Sequence, residues 1–191
     1  MSSIVNVYDD FLSENIRERI ENEIMKIKVK DYKDIKSLLK WLPKEIVKEK
    51  NVIKYSEKVS KIRFEHLSKD TRCHVAIKHG FSAADTQIHF DNRVFLNIVV
   101  PIFMREIESS GLIIFPYFSS ILLRPFLKYK FISKILRKIK FLQIILQAQN
   151  IEYIPNKGYL FKGNVHAHGV FFRPLSKDSL RAVLTINFKR Y

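Results

Sequence analysis

The chain has 191 residues, 34 Lys+Arg against 19 Asp+Glu, a formal charge of +15, and 47% apolar residues. That length suits one domain with a proper core, 1–191, and the composition excludes a disordered or fibrous protein. A lone cysteine, Cys73, excludes an internal disulfide, and no apolar run is long enough to cross a bilayer as a helix.

The opening Met1–Asp10 has no basic stretch followed by an apolar one, so a cytoplasmic protein without a secretory signal is expected. Ser13 is a candidate N-cap, and Ile16, Ile20, Ile24 and Ile27 recur at helical spacing after it. Asp31 to Leu42 reads as a second helix stopped by Pro43, and Lys44 to Lys61 as a third, more polar one. After about residue 71 the pattern changes to short β-branched and aromatic runs bounded by Gly, Pro, Asn or Asp. These are Cys73–Lys78, Thr86–Phe90, Arg93–Pro101, Gly111–Phe115, Gly158–Phe161, Gly169–Phe172 and Arg181–Phe188. A helical part over 1–70 followed by strands over 71–191 predicts an α+β fold whose sheets close into a sandwich or squashed barrel.

One stretch, 118–149, interrupts the strands. Within it, helical placement over Lys130–Leu142 puts Phe131, Ile135, Leu136, Ile139 and Leu142 on one side and the lysines and arginines on the other. No acid occurs between Glu108 and Glu152, while Arg124, Lys128, Lys130, Lys134, Arg137, Lys138 and Lys140 are basic. Residues 1–70 are nearly balanced, with 16 basic and 13 acidic residues. The excess charge is thus largely local. It suits a lid over the substrate, a contact with an anionic membrane surface, or, less well, phosphates of a nucleic acid.

The residues that can carry chemistry are His89-Phe90-Asp91, then His166-Ala167-His168, then Arg181. Residues 89 and 91 of a strand point to one face, so an imidazole and a carboxylate project side by side. A histidine from a later strand completes a two-His, one-carboxylate face. Such a face holds Fe(II) and leaves three positions open for a chelating cosubstrate and O2. His166 and His168 share a strand face and compete for the distal place; the other would support the ligands or face substrate. Arg181 opens a run that otherwise reads as buried strand, where a cation is costly unless paired. Its planar fork suits a carboxylate.

The ordered set His89-x-Asp91, His168 and Arg181 resembles the iron(II)- and 2-oxoglutarate-dependent dioxygenases. The opening Val5-Asn-Val-Tyr-Asp-Asp-Phe-Leu-Ser13, Leu96-Asn97-Ile98, Gly111–Pro116, Gly158–Phe161 and His168-Gly-Val170 are similar to other parts of that family, the last favouring His168 over His166 as distal ligand. The resemblance implies a double-stranded β-helix core of the jelly-roll or cupin-like kind, with N-terminal helices and a helical insert. It further implies His89, Asp91 and His168 as iron ligands, and Arg181 as the partner of the distal carboxylate of 2-oxoglutarate. Many members place Ser or Thr two residues after the arginine; here that residue is Val183, and Thr185 is the next hydroxyl on the same face. Asn97 can serve the cosubstrate or a neighbouring backbone group, and Gln87 and Arg93 are candidate substrate contacts. The implied activity is hydroxylation of a small-molecule, anionic or lipid-linked substrate. A basic membrane- or nucleic-acid-binding module on a cupin-like barrel with a vestigial metal site is the alternative.

Overall fold

The computed structural model describes residues 4–26, 39–80 and 87–189. In chain order these hold β1 (Asn6–Tyr8), α1 (Glu14–Met25), α2 (Leu42–Ile46), α3 (Lys50–Ser60), α4 (Phe64–Leu67), a 3-10 turn (Ser68–Asp70), β2 (Thr71–His79), β3 (Val94–Arg105) and β4 (Ile107–Ile114). Then come α5 (Tyr117–Leu123), α6 (Lys130–Lys138), α7 (Lys140–Ile145), β5 (Gln149–Glu152), β6 (Gly158–Phe161), β7 (His168–Pro174) and β8 (Leu180–Lys189).

The strands form a five-stranded sheet in the order β1-β6-β3-β8-β2 and a three-stranded sheet in the order β5-β4-β7, with every pairing antiparallel. Facing one another, they make the expected double-stranded β-helix. Both faces of the larger sheet are covered, which is why β3 and β8 are mostly apolar, with Asn97, Arg181, Thr185 and Asn187 among the polar exceptions. Leu96, Ile98, Val100, Leu184, Ile186 and Phe188 point to the helices, while Val99 and Val183 point between the sheets with Leu112, Ile114, Tyr159 and Phe161. Pro101 sits inside the central strand β3 because the register shifts between it and Phe103, a place where a missing N–H breaks no ladder bond.

Helix α1 buries Ile16, Ile20 and Ile24 against the larger sheet, each worth roughly 1.5–3 kcal/mol of transfer free energy. Ser13 occupies the N-cap position, yet its side chain does not cap the helix. Its N–H and hydroxyl instead donate to the Glu49 carboxylate, each at 2.9 Å, tying the start of α1 to the start of α3.

Four expectations change. Pro43 begins a helix rather than ending one: it lies in the first turn of α2, where its absent N–H has no helical acceptor to satisfy. Residues 31–38, most of the expected second helix, lie outside the described residues, as does Ile27 of the first helix's stripe. The polar third helix is divided, with α2 and α3 separated at residues 47–49. Thr86 lies outside the described residues, and 87–90 is no strand but carries a single bridge, His89 to His168. Finally, the insert is three short helices instead of one, because the backbone at Ile139 turns extended (φ −95°, ψ 95°) between α6 and α7. These helices cover the outer face of the smaller sheet, where Ile88, Ile113, Phe115, Leu123, Leu136 and Ala167 form a third apolar cluster.

Candidate metal centre

Two backbone bonds set the centre. His89 N–H donates to the His168 carbonyl at 2.8 Å, and His168 N–H to the His89 carbonyl at 3.0 Å. This bridge lays the two imidazoles beside one another, with ring centroids 4.6 Å apart. The chain then leaves the ladder. Asp91 N–H turns to the Gly163 carbonyl at 3.0 Å, and the Asp91 carbonyl accepts from Val94 N–H at 2.8 Å. That turn swings the Asp91 carboxylate between both rings, Oδ1 at 3.4 Å from His89 Nε2 and Oδ2 at 3.2 Å from His168 Nε2. One ligand atom from each of the three residues lies within 4.8 Å of the others.

The rings are held in the tautomer a metal needs. His89 Nδ1 meets the Gln87 carbonyl at 2.6 Å, and His168 Nδ1 meets the His166 carbonyl at 2.9 Å. A carbonyl only accepts, so each Nδ1 bears a proton, and each Nε2 faces the Asp91 carboxylate, donating to it when the ring is protonated and free to offer its lone pair to a metal when the ring is neutral. Asn97, buried under the site, donates Nδ2–H to Asp91 Oδ2 at 2.6 Å. Burial works to raise the Asp91 pKa, but hydrogen bonds from His168, His89 and Asn97 outweigh it and hold the carboxyl far below the usual carboxylate range. The contact with Asp91 in turn raises the His89 pKa. Two imidazoles and one ionised carboxylate on one side of a centre match the facial donor set of non-haem Fe(II).

Arg181 lies further inside the barrel, 2% exposed. Its Nη1–H donates to Ser110 Oγ at 2.6 Å and to the Phe171 carbonyl at 3.3 Å, and its guanidinium lies 5.8 Å from the Tyr153 ring centroid. Ser110 pairs with Phe172 and Ile114 with His168 across β4 and β7, so the Arg181 anchor stands about four residues, roughly 13 Å, below the row of His168. The Tyr153 hydroxyl is buried there with no hydrogen-bond partner. A guanidinium, a serine hydroxyl and a tyrosine hydroxyl without a partner among the described residues thus meet inside the barrel, groups that can together take a carboxylate.

The remaining residues fall in different places. Thr185 is half-buried on the face of β8 that carries Arg181 and Val183. Gln87 and Arg93 are exposed on either side of His89-x-Asp91; the part of Gln87 that reaches the site is its carbonyl. His166 Nδ1 meets the Phe115 carbonyl at 3.0 Å, and its ring lines a cavity of about 620 Å³ that none of the three ligand residues borders. Sequence reading passed over Ser110, Tyr153 and Gly163. A Cβ on Gly163 would collide with the Asn97 amide and press on Asp91 Cβ, so that position admits only glycine while Asp91 stays in place. The Gly163-Asn164 pair after a strand was the available signal. For Ser110 and Tyr153 it was only the need of Arg181 for company.

No protein-family model matches the sequence, and comparison with curated proteins finds no significant relative. Solved structures do match along the whole chain. A Pseudomonas putida prolyl-4-hydroxylase superposes with a TM-score of 0.58 at 14% identity, covering 100% of this chain and 89% of its own. This chain has the fold of the iron(II)/2-oxoglutarate-dependent oxygenases. AviO1 from Streptomyces viridochromogenes Tue57 gives 0.62 at 10% identity, covering 97% and 89%. HygX from Streptomyces hygroscopicus, with iron bound, gives 0.57 at 7% identity, covering 100% and 84%.

Proposed function

We propose that the chain is a non-haem Fe(II)- and 2-oxoglutarate-dependent oxygenase that hydroxylates an anionic or lipid-linked substrate, with O2 as second cosubstrate. The observation that carries this reading is that one barrel holds both a His-Asp-His face and, deeper in, a buried cationic anchor beside an orphaned hydroxyl. A zinc hydrolase leaves the anchor unexplained, and so does a vestigial binding module.

When bound, Fe(II) with 2-oxoglutarate and O2 supplies oxidative decarboxylation to succinate and CO2 and places one oxygen atom in a substrate C–H bond. His89, Asp91 and His168 would hold the ion. Asn97 keeps the Asp91 carboxylate turned to the centre, and the Gln87 and His166 carbonyls keep the two rings turned likewise. Arg181, Ser110 and Tyr153 would take the far carboxylate of the cosubstrate, and Thr185 lies on the same face of β8 as Arg181. Burial raises the Tyr153 pKa above its ordinary value, against a lowering by Arg181, so its hydroxyl keeps the proton it donates. Exposed Gln87 and Arg93, on either side of the ligand pair, would meet substrate, as would His166 from its separate cavity, and the basic insert favours an anionic or lipid-linked group.

Anaerobic addition of Fe(II) and 2-oxoglutarate should give a weak visible charge-transfer band, abolished in His89→Ala. Arg181→Met should keep the metal and raise the 2-oxoglutarate concentration for half-saturation about 30-fold, as expected for losing about 2 kcal/mol of charge-assisted hydrogen bonding. Absence of both band and 2-oxoglutarate affinity in the wild-type protein refutes the reading.

A further inference from the structure

The insert turns several polar side chains inward and many apolar ones outward. Helix α5 buries Ser119 and Ser120 beside Leu123 and exposes Phe118, Ile121 and Leu122. Helix α6 buries Ser133 with Leu136 and exposes Phe131 and Ile135; α7 buries Gln143 and exposes Phe141, Ile144 and Ile145. The inward polar groups are satisfied: Ser120 Oγ–H donates to the Phe115 carbonyl at 3.0 Å, Ser133 Oγ accepts from Ile88 N–H at 2.6 Å, and Gln143 Nε2–H donates to the Leu136 carbonyl at 2.9 Å. Of the seventeen large apolar side chains exposed among the described residues, twelve fall between Tyr117 and Ile145. Phe118 and Ile144 are 72% and 73% exposed. Single exposed apolar residues are ordinary, but a concentration of this kind marks a surface that meets another apolar phase.

Charge selects that phase. The same stretch contains seven lysines and arginines and no acid. Aromatic and branched aliphatic groups to enter the acyl boundary, with cations for anionic headgroups, are the two requirements of an element lying in a membrane interface. A contact with a protein core would need the cations neutralised by a matching acidic partner at every copy, whereas an anionic leaflet supplies diffuse negative charge wherever they fall. We infer that residues 117–145 dock the protein on an anionic lipid surface, with Phe118, Phe131, Phe141 and Ile144 entering the interface and Lys128 and Lys140 among the residues that meet headgroups. The inference is independent of the oxygenase reading. Should both hold, docking brings the metal centre close to the lipid, because the insert touches the segment carrying His89 through buried Ser133 and through exposed Arg124, whose guanidinium lies 4.5 Å from the Phe90 ring centroid.

The test is co-sedimentation of the full chain with vesicles of phosphatidylcholine alone and of phosphatidylcholine with phosphatidylglycerol at about 7:3. Binding should be at least about tenfold stronger on the anionic vesicles and fall in high salt. The triple substitution Phe118→Ser, Phe141→Ser, Ile144→Ser should weaken it at least about tenfold, and Lys128→Glu with Lys140→Glu should weaken binding to anionic vesicles only. Circular dichroism and the thermal midpoint should stay near wild type, since every substituted residue is exposed. Failure of the wild type to bind either vesicle overturns the inference, as does unchanged binding by the triple variant. A dimer in sedimentation that the triple variant dissolves, or binding to a DNA duplex, without vesicle binding would assign the face to a second copy or to nucleic acid, and overturns it too.

Discussion

Helices α1 and α6 are both amphipathic in sequence, and the molecule treats them in opposite ways. In α1 the isoleucine stripe is buried and the charges pair along the surface, as with Arg17 between Glu14 and Glu21. In α6 Phe131 and Ile135 face outward and Ser133 faces in. The cause lies in what each helix covers. Under α1 the larger sheet offers Leu96, Ile98, Leu184 and Ile186, all with their backbone groups already in ladders. Under α6 lies the segment 87–90, which bridges β7 at one residue only and leaves Ile88 N–H without a strand partner. A buried donor costs more than a lost apolar contact, so a serine goes inward and the apolar side is left for something else. Periodicity shows that a stripe exists; the surface beneath the helix decides whether it becomes core.

The largest expected contrast is between two isoleucines. Ile20→Ala in α1 should cost about 2–5 kcal/mol in denaturant unfolding, while Ile144→Ala in α7 should stay within about 0.5 kcal/mol. Equal losses would mean that the insert face is core after all. Next, Ser133→Ala strands the Ile88 N–H and should cost about 1–3 kcal/mol, and it should weaken Fe(II) binding because His89 is the next residue. Unchanged metal affinity would break the link drawn between insert and site. The smallest effect concerns Cys73, half-buried on β2 against the helix-side core, where burial pushes the thiol pKa up to about 12. At pH 8 only about one thiol in ten thousand is then ionised, so alkylation should run at least about a hundredfold slower than in the denatured chain. Rapid native alkylation would show that the helix layer opens readily.

Much of the site could be read from spacing. His89 and Asp91 stand two residues apart, and an arginine in an apolar run demands a partner, so both were visible without coordinates. The reason first given for the pair, a shared strand face, is only half of what happens. His89 does sit on a bridge, but Asp91 reaches the rings by leaving the ladder for Gly163. Asn97 was expected to serve the cosubstrate or a backbone group, and its amide in fact holds the Asp91 carboxylate. Ser110 and Tyr153 stayed hidden because each joins Arg181 from a different strand, and no local pattern records which strands will face one another.

From sequence alone came the chemistry of the donors and the local excess of +7 in the insert, since residue identity and order carry both. The tertiary structure decided which carbonyls hold the two imidazoles, which hydroxyls accompany Arg181, and which side of the insert faces out. Those depend on backbone groups left over after the sheets have paired, and only the folded chain shows which groups are left.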